Sequence, residues 1–163
     1  MEVTLMTDRL ELRPLAPAVA AALCEGRDQA ARRLGRDISP DWPDAGLLGL
    51  LSRQAHMTAD QAVWSIWLII DREGRLVVGD VTFLGPPSQE GTVGIAYGVV
   101  PSYRRRGYVT EAARALIAWA QQQPGVKAVA AACADDNQAS IRTLQRVGFR
   151  QTGRSGRELR WRL

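Results

Sequence analysis

The chain has 163 residues, 46% hydrophobic and 23% charged, proportions that suit a single folded globular domain over residues 1–163 and exclude disorder as its main state. Its net charge of +4 comes from 21 basic and 17 acidic residues, and Lys127 is the only lysine. A modest positive field attracts anions, but Arg104, Arg105 and Arg106 form the only basic run and no aromatic platform is interleaved with it, so nucleic acid is not the expected partner.

No apolar run is long enough for a transmembrane helix, and the N-terminus lacks the basic start and apolar stretch of a signal peptide. The expected location is the cytoplasm, with no membrane partner. Cys24 and Cys133 sit among apolar neighbours and read as two free buried thiols in a reducing compartment. One histidine and two scattered cysteines give no metal-ligand spacing, so no metal site is expected.

In chain order, residues 3–12 read as a first strand that Pro14 ends. Residues 17–35 are Ala-rich and read as one helix opened by Pro17. A polar connection over 38–46 leads to a second helix over 47–59, with Leu47, Leu50, Leu51 and Gln54 at helical spacing. Residues 62–71, 76–84 and 92–100 read as a meander of three strands, the first two joined by a hairpin turn at Arg72 to Arg75. A helix over 107–123 stops at Pro124-Gly125, and a short apolar strand covers 126–133. A helix over 137–147 is closed by Gly148, and strands over 149–153 and 158–163 flank a turn at Ser155-Gly156. The strand–helix–strand unit from Thr92 to Cys133 implies a parallel crossover. Added to the meander, it predicts an α/β (α+β) fold with a mixed sheet and helices on both faces.

The strongest site signal lies between a strand and a helix, at Val99-Val100-Pro101-Ser102-Tyr103-Arg104-Arg105-Arg106-Gly107-Tyr108-Val109-Thr110. The first amides of a helix have no internal partner and its dipole favours negative charge, so a phosphate fits there. Gly107 lets the backbone approach the ligand without a Cβ, and the three arginines can add charge-assisted bonds from the rim. No Gly-Lys-Ser/Thr follows and only one glycine is present, which excludes a Walker loop and a dinucleotide fingerprint.

This segment resembles the acyl-CoA pyrophosphate loop of the GNAT (N-acetyltransferase) superfamily. Arg104, Gly107 and Val109 match its Gln/Arg-x-x-Gly-x-Gly/Ala, although Val109 stands where a smaller residue is usual, and Val99 and Pro101 match the Val-x-Pro before it. Asp136 through Leu144 with Gly148-Phe149 resembles the family's later motif. Thr7-Asp8-Arg9-Leu10-Glu11-Leu12-Arg13 resembles the opening of the branch that holds bacterial ribosomal-protein N-terminal acetyltransferases.

The resemblance implies an acyl-CoA N-acyltransferase-like three-layer fold with a splayed central sheet and acetyl-CoA as cosubstrate. It places acetyl-CoA on Val99, Val100, Arg104, Arg105, Arg106, Gly107, Tyr108, Val109, Thr110, Asn137 and Ser140. It implies direct attack of an amine, a protein N-terminus or a small molecule, on the thioester. The backbone N–H of Val99 or Val100 would be the oxyanion donor and Ser140 would assist departure of the thiol. A homodimer is compatible with it.

Physically, Asn137 and Ser140 lie three apart and can share one side of a helix start, although Asp135, Asp136 and Asn137 are equally good capping residues. Related proteins often carry a Glu on the strand before the loop, where this chain has Gly94, so the usual base is absent. Asp80 and Glu90 are substitutes that spacing does not establish, and a water wire to bulk solvent is an equal alternative. Tyr97 is a candidate for lining the acceptor channel, with Trp42 a second wall candidate. Asp37, Asp41 and Asp44 would suit a cationic acceptor. The other reading is a catalytically silent acyl-CoA-binding protein.

Overall fold

The computed structural model describes residues 2–163. The chain opens with two strands where the pattern predicts one: β1 (Leu5–Met6) and β2 (Leu10–Pro14) fold back on each other, with Leu5 opposite Leu12. Thr7 closes the turn. Its amide donates to the Leu10 carbonyl at 2.9 Å and its hydroxyl accepts from the Leu10 amide at 3.0 Å. The predicted helix over 17–35 is also two, α1 (Pro17–Glu25) and α2 (Arg27–Leu34), parted by Gly26 in an extended conformation. A two-residue strand, β3 (Asp37–Ile38), follows.

The helix α3 (Ala45–Ala55) starts two residues earlier than predicted because Asp44 caps it, accepting the Leu47 amide at 2.9 Å. A single turn, α4 (Ala59–Ala62), takes up the start of the next predicted strand through a capping box of Thr58 and Gln61. The meander forms as expected: β4 (Ile66–Asp71), β5 (Leu76–Phe83) and β6 (Thr92–Val99). After it come α5 (Tyr108–Gln121), β7 (Ala128–Ala134), α6 (Gln138–Val147) and the closing hairpin of β8 (Arg150–Ser155) and β9 (Glu158–Arg162).

The strands form one mixed sheet in the order β1-β2-β4-β5-β6-β7-β9-β8, with β3 pairing in parallel to β5. All six residues of β4 are buried, as expected of a strand covered on both faces. Register assigns the faces. Trp67, Val81 and Tyr97 lie opposite one another and share one face. Trp119 of α5 packs there, its ring 5.0 Å from that of Trp67 and 6.0 Å from that of Phe83. Each such aromatic pair adds about 0.5–1.5 kcal/mol beyond the area it buries. Asp80, Thr82, Ala96 and Gly98 share the other face, where Trp42 in the α2–α3 connection reaches Asp80. Helices therefore cover both faces, which gives the three-layer α/β architecture.

One irregularity matters for function. The parallel ladder between β6 and β7 runs only from Thr92 opposite Ala128 to Ile95 opposite Ala131. Beyond it β6 continues against β5 as far as Val99, while β7 continues against β9 as far as Ala134. The two strands part, and the sheet is splayed at its middle.

The two cysteines are free, but only Cys133 is buried. The apolar neighbours of Cys24 misled the sequence reading: α1 buries Val19, Ala20 and Ala22, and Cys24 turns off that side into solvent. Among the described residues, no helix is long and apolar enough to cross a membrane.

Candidate active site

The loop between β6 and α5 has the geometry of an anion cradle. A short 3₁₀ turn covers Pro101–Tyr103, and Arg105 and Gly107 both have positive φ, 60° and 76°. Gly107 is the N-cap of α5 and has no side chain to satisfy the helix start. Its carbonyl accepts the Glu111 amide at 3.0 Å, the first helical bond. Among the described residues, no group accepts from the amides of Arg105 through Thr110, which leaves a run of donors at the positive end of a 14-residue helix. A Cβ built on Gly107 would meet the Arg9 guanidinium at 3.4 Å. The bare backbone and free amides fit the pyrophosphate of an acyl-CoA.

The three arginines of the run do different things. The Nε of Arg104 turns back to donate to the Val99 carbonyl at 3.2 Å. Arg106 lies over the Tyr103 ring at 4.7 Å, and Arg105 is exposed at the bend. Arg9, to which the sequence pattern gives no role, holds the loop. Its Nη1 donates to the Arg106 carbonyl at 2.7 Å and its Nε to Glu111 at 2.7 Å. The Thr7 hydroxyl donates to the same carboxylate at 2.5 Å. Burial opposes ionisation of Glu111, but the bonds from Thr7 and Arg9 outweigh it and hold the carboxyl below its usual range. The opening run from Thr7 to Arg13 was visible only as a family resemblance, and the structure gives its first half a physical task. An open cleft of about 730 Å³ lies beside this clamp, with Arg9, Arg114 and Arg146 among its lining.

Tyr108 anchors the loop from below. Its hydroxyl donates to the buried Asp71 at 2.7 Å, and the Arg9 guanidinium stacks over its ring at 4.5 Å. Tyr108 is thus buried rather than presented to a ligand by its side chain, and its contribution to the cradle is its amide.

At the strand end, the Val100 amide donates to Val78 at 2.8 Å. The sequence left Val99 and Val100 open as the oxyanion donor, and this bond removes Val100. Backbone groups alternate in direction along a strand, so the Val99 amide turns to the opposite side, toward the gap that β7 leaves.

Ser140 stands across that gap. Its hydroxyl lies 2.7 Å from the Tyr97 hydroxyl. Burial raises the Tyr97 phenol above its ordinary value, against the lowering effect of the Ser140 bond, so the phenol keeps its proton at neutral pH. Asn137 caps α6 by accepting the Ser140 amide at 3.1 Å, so what its side chain does is fix the turn that presents Ser140.

Two expected partners do not meet. Tyr97 and Trp42 were candidate walls of one channel, but they lie on opposite faces of the sheet because Tyr97 pairs with Val81 and Trp42 bonds to Asp80. Tyr97 belongs with Ser140. Of the two substitute carboxylates, Glu90 is exposed in the β5–β6 turn, while Asp80 is held in the sheet. Its Oδ1 accepts from the Trp42 indole at 2.9 Å and its Oδ2 from the Thr82 hydroxyl at 3.0 Å. Burial pushes its pKa up to about 6 despite those two bonds, and the neighbouring Asp44 charge adds to the rise. His56 is exposed at the end of α3, far from these groups in the chain, with its ring bonded to the Ser52 carbonyl at 2.7 Å.

Comparisons with known proteins agree with this geometry. The family described as acetyltransferase (GNAT) domain matches residues 9–150. The uncharacterized N-acetyltransferase YjdG of Bacillus subtilis (strain 168) is 29% identical over 162 residues, 98% of this chain and 96% of that protein. The ribosomal-protein-S5-alanine acetyltransferase of Vibrio fischeri superposes with a TM-score of 0.71 at 15% identity, over 99% of this chain and 96% of its own. The microcin C7 self-immunity acetyltransferase MccE, solved with acetyl-CoA and AMP, superposes with a TM-score of 0.67 at 18% identity, over 96% of this chain and 93% of its own. The superpositions speak to the fold, and the family match speaks to the chemistry. The chain belongs to the GNAT acetyltransferase family, and it is an acetyl-CoA-dependent N-acetyltransferase.

Proposed function

We propose that this single-domain enzyme acetylates a primary amine, a protein N-terminus or a small molecule, by direct attack on acetyl-CoA held between β6 and β7. The observation that carries this reading is the 2.7 Å contact between Ser140 and Tyr97 at the point where those strands part. The loop amides near Gly107 take the pyrophosphate, with Arg105 and Arg106 at the rim. The cleft beside Arg9, Arg114 and Arg146 takes the remaining phosphorylated end. Pantetheine then runs into the gap and pairs with the strand edge that β7 abandons.

In this reading the thioester carbonyl meets the Val99 amide, which stabilises the negative charge that grows on its oxygen as the amine adds. Such a donor is worth roughly 10²–10³ in rate. The C–S bond breaks, Ser140 delivers a proton to the sulfur, the Tyr97 phenol replaces it on Ser140, and the proton lost by the adduct nitrogen restores the phenol by way of solvent. A positioned proton donor contributes roughly 10²–10⁴. No covalent acyl-enzyme is required, because holding both substrates in one site supplies the proximity.

The test is a panel of amines and peptides incubated with acetyl-CoA, read by CoA release and by mass of the product. Acetylation of a peptide N-terminus or a small amine supports the reading. Tight acetyl-CoA binding with no amine turned over would select a silent acyl-CoA-binding protein instead.

A further inference from the structure

One face of β6 is almost bare. Gly94, Ala96 and Gly98 alternate along it, and register sets Ala96 opposite Thr82 and Gly98 opposite Asp80. A Cβ placed on Gly98 would meet nothing closer than the Asp44 carboxylate at 4.0 Å. The space over Gly98 is therefore open and rimmed by two carboxylates, Asp44 and Asp80. Trp42 and Thr82 fix the orientation of Asp80 with one bond to each oxygen, and a carboxylate has lone pairs for about two more.

Neutral donors hold Asp80 in place. Of the 17 acidic residues, Glu11, Glu111, Asp135, Asp136 and Glu158 pair with an arginine. Among the described residues, Asp80 and Asp44 form no salt bridge, although Asp80 is largely buried. Asp44 is the one charged group that bears on Asp80. Asp80 on neutral donors, beside the second carboxylate of the α3 cap Asp44, favours taking up positive charge, as a proton or from a cationic group. The position is also right for chemistry. Gly98 precedes Val99, whose amide faces the gap, and β5 and β6 are about 4.8 Å apart as adjacent strands. With no side chain on Gly98, β6 puts only backbone between Asp80 and the gap at that position.

We propose that Asp80 receives the acceptor's ammonium group and takes its proton, directly or through one water, so that the neutral amine forms beside the thioester. This rests on the amine-acetylating reading above and deepens it. The acceptor enters over the Trp42 face as a slender cationic alkylamine, with the Asp44 charge drawing it in. The protons balance. One leaves the ammonium for Asp80 and passes to solvent after turnover. Once the N–C bond has formed, the nitrogen loses a second as the thiolate departs and gains one.

The test has two readouts. The first is the Trp42 indole N–H resonance, assigned with Trp42→Phe, because that group bonds to Asp80 directly. It should titrate with a midpoint near pH 6 and shift when butylammonium chloride is added, but not when sodium chloride is added. In Asp80→Asn both responses should vanish. The second is steady-state acetylation of the best amine in the panel. Asp80→Asn should lower kcat/KM by at least about 100-fold and remove the rise in rate near pH 6, leaving the acetyl-CoA Kd within about twofold. Asp44→Asn should raise KM for the amine with kcat nearly unchanged. Gly98→Val should block the amine without weakening acetyl-CoA. An indole signal indifferent to butylammonium, or full turnover by Asp80→Asn, would overturn the proposal. If no amine is acetylated at all, the reaction assigned above fails, and the Trp42 response still decides whether Asp80 binds a cation.

Discussion

The hydroxyls of Tyr97 and Ser140 lie 2.7 Å apart although 43 residues separate them in the chain. The contact spans the place where the sheet opens, and it links a half-buried phenol to a helix-start serine in a continuous path for a proton. Ser140→Ala should lower kcat about 100-fold and leave the acetyl-CoA Kd nearly unchanged. Tyr97→Phe should cost less, about tenfold, because Ser140 can be reprotonated by water. Calorimetry paired with CoA-release kinetics measures both terms, and an unchanged rate in Ser140→Ala would reduce the residue to part of the helix cap.

Gly107 adopts φ 76° beside the run of free amides. Asp at this position combines a strained left-handed backbone with a negative charge where phosphate is expected. Gly107→Asp should weaken acetyl-CoA about 100-fold or more by calorimetry, and Gly107→Ala should show the smaller backbone share alone.

Arg9 ties the loop to the N-terminal hairpin through the Arg106 carbonyl and Glu111. Arg9→Ala should raise the acetyl-CoA KM about tenfold and leave amine KM unaffected, since it loosens the cradle rather than the far side of the sheet. Its Tm should fall by a few degrees, in keeping with about 1 kcal/mol for a partly exposed ion pair with good geometry.

Asp80 should set a pH dependence of stability with a definite sign. Its folded pKa of about 6 lies above the ordinary 3.8, so folding favours the protonated form. That contribution is fully present below 3.8 and is lost as pH rises through about 6. Asp80→Asn, neutral at every pH, should therefore be more stable than the parent near pH 8, by up to the order of 3 kcal/mol, and equal to it near pH 4. Denaturant melts at the two pH values read this directly. Gain of stability together with loss of turnover is the pattern expected of a group kept for function.

Much of the fold was legible because its strong elements are bounded by strong punctuation. Gly148 and Pro124-Gly125 stop helices where expected, and the meander from Ile66 to Val99 follows from apolar runs parted by short turns. The misses share one physical cause, that local pattern carries no distance information. Two short strands around Thr7 keep the same period as one long strand. Gly26 interrupts an otherwise helical composition by its backbone alone. Among the candidate site residues, the loop is legible as a strand–glycine–helix junction and Ser140 only as part of a family resemblance. Arg9 is not legible, since its partners lie about a hundred residues away. The separation of Tyr97 from Trp42 depends on register, which only the pairing of β5 with β6 fixes. Spacing does not separate Asp80 from Glu90, whereas the fold puts one in the sheet on the Trp42 indole and the other in an exposed turn.

The Arg9–Glu111 bond joins positions 102 residues apart. The cradle for acetyl-CoA is therefore not a local motif that can form early. Its shape depends on the first strands returning to dock against a helix made more than half the chain later, a contact that is slow to close in any folding reaction. Cosubstrate binding thus works as a seal on completed folding. A chain still emerging from synthesis, or one with its opening hairpin undocked, has the loop's amino acids without its affinity. Conversely, saturating acetyl-CoA should protect residues 2–10 from proteolysis, because Thr7, Asp8 and Arg9 line the cleft beside the loop.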